Sequence, residues 1–251
     1  MERNLLFTIE YDGSEFHGWQ RQPDQPTVQG TIEKVLSKLF RQPVEIDGTS
    51  RTDAGVHAMG QRATYAGEFG IPTDRILFAA NNMLPGSIHI SKVEEVPAGF
   101  HARFDAVGKT YRYVIHNTPQ RNVFERNYCW YVEQSLDVSA MKSAADSFVG
   151  THDFKSCQAT GGPEKQTTVR TISALDIKQD GHKITIDVTG DGFLYNMVRI
   201  IVGTLMEVGL GRIKPDRISD ILESKDRSRA GRTAPPQGLY LVQVYYERKD
   251  L

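Results

Sequence analysis

The sequence predicts an α+β fold made of two halves with the same element order, β-α-β-β-α-β. Two observations carry this. Apolar stretches bounded by Gly, Pro, Asp and Ser punctuate the chain as strands do. Between them, each half carries segments whose apolar residues recur at helical spacing. The 251 residues suffice for one large domain or two of ordinary size. The boundary is expected near Asp105-Ala106-Val107-Gly108, giving halves 1–105 and 106–251.

In the first half, residues 5–11 (Leu-Leu-Phe-Thr-Ile-Glu-Tyr) read as a strand that Asp12-Gly13-Ser14 ends. Val28, Ile32, Val35, Leu36 and Leu39 then mark a helix, with Thr27 as its N-cap. A short strand is expected over residues 43–46 and another over 61–66. Thr73 is expected to cap a second helix, which Pro85-Gly86 stops. Residues 88–96 complete the half as a strand. In the second half, residues 110–115 read as a strand and 138–149 as a helix. Residues 169–177 and 183–188 read as strands across the turn at Asp180-Gly181. Met197, Ile201, Leu205 and Val208 mark an apolar helix over 194–208. A short helix near 216–223 and a last strand over 239–246 follow. This order is that of ferredoxin-like halves. Two such halves can join edge to edge into a mixed, mainly antiparallel sheet with helices on one face and a central cleft.

Composition narrows the function. Hydrophobic content of 39% and charged content of 24% are those of a globular chain. No apolar run approaches a membrane span, and Met1-Glu2-Arg3-Asn4 leads into a strand without a signal-peptide core. A cytoplasmic location without membrane association is therefore expected. Cys129 and Cys157 cannot form a disulfide framework and lack paired zinc-site spacing. The net charge of −1 does not announce a nucleic-acid binder. Two basic clusters stand out even so: Arg103, Lys109, Arg112, Arg121 and Arg126 in one stretch, and Lys225, Arg227, Arg229 and Arg232 in another. There is no dinucleotide fingerprint, no Walker A loop, no His-Glu-x-x-His, no EF-hand loop and no Gly-x-Ser-x-Gly elbow. Chemistry without nucleotide, metal or redox cofactor is expected, such as isomerisation or glycosyl transfer.

The stretch Gly48-Thr49-Ser50-Arg51-Thr52-Asp53-Ala54-Gly55-Val56-His57-Ala58 sets one carboxylate between a guanidinium and a glycine. On a glycine-containing loop beyond a strand, such a carboxylate can be held in one orientation and kept ionised, as a nucleophile requires. Taken alone, Asp before Ala-Gly is more often an Asx-type turn. His57 invites a catalytic reading, but a lone histidine is more often structural.

Four further stretches change the balance. They are Tyr11-Asp12-Gly13-Ser14-Glu15-Phe16-His17-Gly18-Trp19-Gln20 followed by Thr27-Val28-Gln29-Gly30; Lys109-Thr110-Tyr111-Arg112-Tyr113; Gly192-Phe193-Leu194-Tyr195-Asn196-Met197-Val198-Arg199, running on to Gly203; and Thr233-Ala234-Pro235-Pro236-Gln237-Gly238-Leu239. With the Asp53 loop, and in this order, they closely resemble the tRNA pseudouridine synthase A family over nearly the whole chain. One stretch departs. After Thr151-His152-Asp153-Phe154 the family commonly has a second aromatic, and here Lys155-Ser156-Cys157 follow.

The resemblance implies a cofactor-free reaction on tRNA, turning uridine into pseudouridine at positions 38, 39 and 40 of the anticodon stem-loop. It implies a homodimer that holds the tRNA across both subunits. Asp53 matches the family's catalytic aspartate, which either attacks C1′ or removes the C2′ proton. Arg199 would pair with Asp53, since a charge on an apolar helix needs a partner. Tyr111 would stack on a flipped uracil and could take part in the proton transfer from C5. Arg51 is associated with the displaced nucleotide or its phosphate. Lys109, Arg103 and the cluster from Lys225 to Arg232 are candidate phosphate contacts. Tyr113, on the same strand face as Tyr111, is expected in the core. The competing reading is a non-catalytic RNA-binding protein of the same fold. A glycosidase acting on free nucleosides would not need the large cleft.

Overall fold

The computed structural model describes residues 2–162 and 166–247. It is an α+β structure whose strands pair mostly antiparallel, with five α-helices among the described residues. The chain separates into two compact units, residues 1–106 with Tyr240–Glu247, and Val107–Leu239.

In the first unit, β1 (Glu2–Tyr11) lies between β4 (Ile88–Val96) and β3 (His57–Glu68), antiparallel to both. Leu5, Phe7 and Ile9 are fully buried and Leu6 nearly so, as expected of a central strand with both faces covered. The two-residue strand β2 (Asp47–Gly48) pairs with β3, giving the order β4-β1-β3-β2. On the same edge as β2, through His57 and Ala58, β3 also takes the last strand of the chain, β10 (Leu239–Tyr245), in parallel. Helix α1 (Val28–Phe40) buries Val28, Ile32, Val35 and Leu36. Thr27 caps it, its side chain accepting the Gly30 N–H at 3.3 Å. Helix α2 (Thr73–Met83) buries Ile76 and Ala80, and its Asn81 side chain bonds both backbone groups of Ile90 at 2.8 Å, tying α2 to β4.

Two local expectations are corrected. Residues 43–46 form no strand, although Val44 and Ile46 are buried. Their backbone groups are claimed by α1 instead: Ser37 Oγ accepts from Val44 N, Glu33 accepts from Ile46 N, and Gln29 donates to the Ile46 carbonyl. Side chains thus replace a ladder. Thr73 is the first helical residue rather than the cap; Pro72 occupies the N-cap with no side-chain hydrogen bond.

In the second unit, β5 (Gly108–Asn117), β9 (Lys183–Gly190), β8 (Val169–Asp180) and β7 (Gly150–Asp153) pair antiparallel in that order. A three-residue strand, β6 (Trp130–Val132), runs parallel to β5. Helix α3 (Val138–Ala145) ends in a 3₁₀ turn over Asp146–Phe148. Helix α4 (Met197–Gly209) is buried almost all round, which marks it as a core helix. It begins three residues later than its apolar pattern suggests. Helix α5 is Ile218–Ser224. β6 and β7, of three and four residues, are too short to show a period in the sequence.

Candidate active site

The Asp53 loop follows β2, and its backbone is fixed from several sides. Thr49 N donates to the Arg62 carbonyl at 2.8 Å. The Thr49 hydroxyl lies 2.9 Å from the Ala102 carbonyl. Gln61, fully buried, brackets Ser50: its amide donates to the Ser50 carbonyl at 2.6 Å, and its oxygen accepts from Ser50 N at 3.2 Å. The segment 11–19 then closes over the loop. The Tyr11 and Thr52 hydroxyls share a hydrogen bond of 2.7 Å. Trp19 N donates to the Thr52 carbonyl at 3.0 Å. Val56 N turns back to the Asp53 carbonyl at 3.1 Å, with Gly55 at φ +77°. That positive φ favours glycine.

Two glycines of the covering segment are there for closeness. A Cβ at Gly13 would lie 2.0 Å from the Val56 carbonyl oxygen, and one at Gly18 2.6 Å from that of Thr52. The sequence signalled these glycines as part of a recognised stretch but not their job, which is to let one backbone lie on another. Thr52 is buried, Asp53 partly exposed and Arg51 exposed. The loop therefore presents its carboxylate and guanidinium residues from a locked backbone.

His57 is buried within the same assembly. Its Nδ1 lies 3.1 Å from Gly13 N and 3.2 Å from an Asp12 carboxylate oxygen, and its ring stacks on Tyr240 at 4.7 Å. Nδ1 can accept from Gly13 or, when protonated, donate to Asp12, but not both. Either way His57 ties the covering segment to β3, a positioning task.

In the second unit, Tyr111 pairs across to Val188 on β9 and stays partly exposed. Its ring meets Phe193 edge-on, with centroids 5.2 Å apart. Strand alternation turns Arg112 to the other face, where it makes a two-pronged bond to its cross-strand neighbour Asp187, both contacts at 2.8 Å. Asp187 raises the Arg112 pKa above its ordinary value. Tyr113 is fully buried; its hydroxyl donates to the Pro235 carbonyl at 2.8 Å, and burial pushes its pKa well up.

Arg199 occupies the first turn of α4, where the helix dipole disfavours a cation. Acceptors offset this: Nε donates to the Ala234 carbonyl at 2.7 Å, and a terminal nitrogen to Asn196 Oδ1 at 2.8 Å. Ala234 N in turn donates to the Arg199 carbonyl at 3.0 Å. The segment 231–234 approaches closely through Gly203, where a Cβ would lie 1.7 Å from the Arg232 carbonyl oxygen. Two of the recognised stretches, on α4 and at 233–239, thus form one construction that aims Arg199.

The basic residues divide. Arg103 is exposed, its guanidinium 5.6 Å from the Phe104 ring centre. Lys109 is partly exposed near the start of β5. Lys225 pairs with Asp153 at 2.8 Å, Arg227 donates to Thr233, and Arg232 lies over Trp130 at 4.8 Å. These three already have structural work; Arg229 is exposed. Where the chain departs from the family pattern, Lys155-Ser156-Cys157 wind into a 3₁₀ turn with Ser156 and Cys157 fully buried. Among the described residues no helix is long and apolar enough to cross a membrane.

The sequence profile described as tRNA pseudouridine synthase matches residues 8–105 and 144–247. The tRNA pseudouridine synthase A of Acetivibrio thermocellus is 50% identical over 97% of this chain and 100% of the relative. That of Ruminiclostridium cellulolyticum is likewise 50% identical, and that of Caldicellulosiruptor bescii 48%, each over 97% of this chain and 100% of the relative. Among solved structures, the archaeal box H/ACA sRNP Nop10-Cbf5 complex aligns with 81% of this chain and 42% of that one, at 10% identity and a TM-score of 0.36. The family match and the three curated relatives define the class, an isomerase that makes pseudouridine. The chain belongs to the tRNA pseudouridine synthase family.

Proposed function

We propose that the chain converts uridine to pseudouridine at positions 38, 39 and 40 of the tRNA anticodon stem-loop, with Asp53 as the group that acts on the sugar. The observation that supports this best is the contrast within residues 49–56. The backbone there is pinned by Arg62, Gln61, Trp19 and Phe16, yet Asp53 stays partly exposed. A turn made only to connect two strands does not need a second segment clamped over it.

In this reading the N1–C1′ bond of a flipped-out uridine breaks, the uracil turns, and C5 joins C1′. Asp53 either bonds to the electron-poor C1′ or takes the C2′ proton, and both routes use an ionised carboxylate. Arg199 supplies the cation that favours that state. The partly exposed Tyr111 ring, in edge contact with Phe193, is the face on which the extruded base stacks in this reading, and its phenol takes part in the transfer of the C5 proton. Arg51 takes the displaced nucleotide's side, while Arg103 and Lys109 contact phosphate. The acting form is a homodimer in the cytoplasm, which doubles basic surface that a near-neutral monomer presents once.

The test is incubation of the full chain with unmodified tRNA, without added cofactor, followed by carbodiimide labelling and primer extension. Stops confined to positions 38–40 are expected. Bound tRNA without pseudouridine, or pseudouridine formed only elsewhere, would overturn the assignment.

A further inference from the structure

The second unit holds a cluster that the uridine chemistry does not use. Among the described residues, a His116 ring nitrogen, a Glu125 carboxylate oxygen and Cys129 Sγ all lie within 4.8 Å of one another. His116 comes from the end of β5, with Nδ1 2.9 Å from Glu125 Oε2. Glu125 and Cys129 stand four residues apart on one turn, closed by Tyr128 N to the Glu125 carbonyl at 2.9 Å and by Cys129 Sγ to the same carbonyl at 3.3 Å. The parallel pairing of β6 with β5 sets Trp130 opposite Ile115 and Tyr131 opposite His116, bringing Cys129 to the histidine.

We propose that His116, Glu125 and Cys129 form a binding site for one divalent transition-metal ion of the zinc class. Nitrogen, sulfur and carboxylate oxygen are the donor types such ions take. Bonds of about 2.0–2.3 Å to a tetrahedral ion set the donor atoms roughly 3.3–3.8 Å apart, and the three present donors already lie within 4.8 Å of one another. One thiolate and one carboxylate balance a divalent charge, so the filled site itself is neutral. The thiol proton leaves to solvent as the metal–sulfur bond forms. His116 and Cys129 also line a pocket of about 240 Å³, with Arg121, Asn122, Arg126, Trp130 and Gln237, which leaves room for a fourth, exchangeable ligand.

The ion would act as a clip. It joins the end of β5 to both ends of the turn at 125–129, and so holds the loop 118–129 that displays the exposed Arg121 and Arg126. It takes no part in the isomerisation, so the site is read without tRNA and stands or falls apart from the proposed function.

The test uses the full chain, freed of metal by chelator and titrated with Co²⁺. One ion per chain is expected, with a thiolate-to-cobalt band in the near ultraviolet. Cys129→Ser should abolish the band. Cys157→Ser should keep it, since Cys157 is fully buried and burial pushes its thiol up to about 12. Glu125→Gln, at an exposed position, should weaken binding by at least about tenfold, the loss seen even for residues outside the ligand set. Zn²⁺ should slow tryptic cleavage after Arg121 and Arg126 in the native chain but not in Glu125→Gln. No cobalt band, a band that survives Cys129→Ser, or unchanged affinity in Glu125→Gln would each overturn the proposal.

Discussion

Asp53 stands on an irregular loop, whereas Arg199 stands on a helix and Tyr111 on a strand. The loop has no ladder of its own, so its shape comes from outside: Gln61 brackets Ser50, Trp19 holds Thr52, and Gly13 admits the Val56 carbonyl. For Arg199 the helix already fixes the backbone, and outside contacts aim only the guanidinium, through Ala234 and Asn196. The first arrangement fixes where a residue is; the second fixes where a side chain points. In the proposed roles, Asp53 as a reacting carboxylate tolerates little displacement, while Arg199 as a charge acting through space tolerates more. The two regions should therefore respond differently to the same kind of damage.

The largest effect should come from Asp53→Ala. Pseudouridine formation should fall by more than roughly 10³-fold, as for loss of a nucleophile or essential base. Affinity for tRNA should change by less than about twofold, because phosphate contacts dominate it. Single-turnover rates and filter binding measure the two. Near-normal turnover by this variant would remove Asp53 from the chemistry and leave the clamped loop unexplained.

Next come two glycines. In Gly13→Ala the new methyl meets the Val56 carbonyl at 2.0 Å, and backbone must move. A shift of about 1 Å at a reacting group costs on the order of 10²-fold, so the single-turnover rate should drop by that much with tRNA binding kept. In Gly203→Ala the clash is tighter still, 1.7 Å from the Arg232 carbonyl. Ala for Gly gains about 1 kcal/mol of helix propensity, which such an overlap exceeds. What moves there is the segment 231–234, and with it the acceptor of Arg199 rather than the arginine's own backbone. A rate loss of only about tenfold is expected, with a lowered melting temperature. Equal losses in the two variants would erase the distinction between placing and aiming.

The sequence carried the long elements because their apolar periods are strong, as in residues 28–40 and 88–96. It did not carry β6 and β7, whose three and four residues are too few for a period. Residues 43–46 depart from the expected strand for another reason. Val44 and Ile46 alternate as a strand would, but the partners of their backbone are Ser37, Glu33 and Gln29, which no local pattern reveals. At the candidate site, the sequence offers Asp53, Tyr111 and Arg199 as residues to propose. It does not offer their supports. That Gly13 and Gly18 clamp the loop, or that Gly203 lets Ala234 reach Arg199, depends on contacts between distant segments.

The smallest effect sharpens the comparison from the side of the basic residues. Lys225 resembles Arg103 and Lys109 in sequence as a candidate phosphate contact, yet it is committed to Asp153 at 2.8 Å. Burial alone would raise the Asp153 pKa; hydrogen bonds from Lys225, Thr168 and Lys155 N outweigh it and hold the carboxyl below its ordinary value. A depressed carboxyl pKa stabilises the fold above the unfolded value of about 3.9 and loses that contribution as pH falls through the folded value. The pair is partly exposed, so its worth is at most about 1 kcal/mol. Asp153→Asn should therefore melt slightly below the native chain at pH 7, and the gap should close below about pH 4. Pseudouridine formation should change by less than about twofold, and the salt dependence of tRNA binding should keep its slope. A steeper slope in Asp153→Asn would mean that releasing Lys225 adds a phosphate contact, and would move that residue from the fold to the RNA surface.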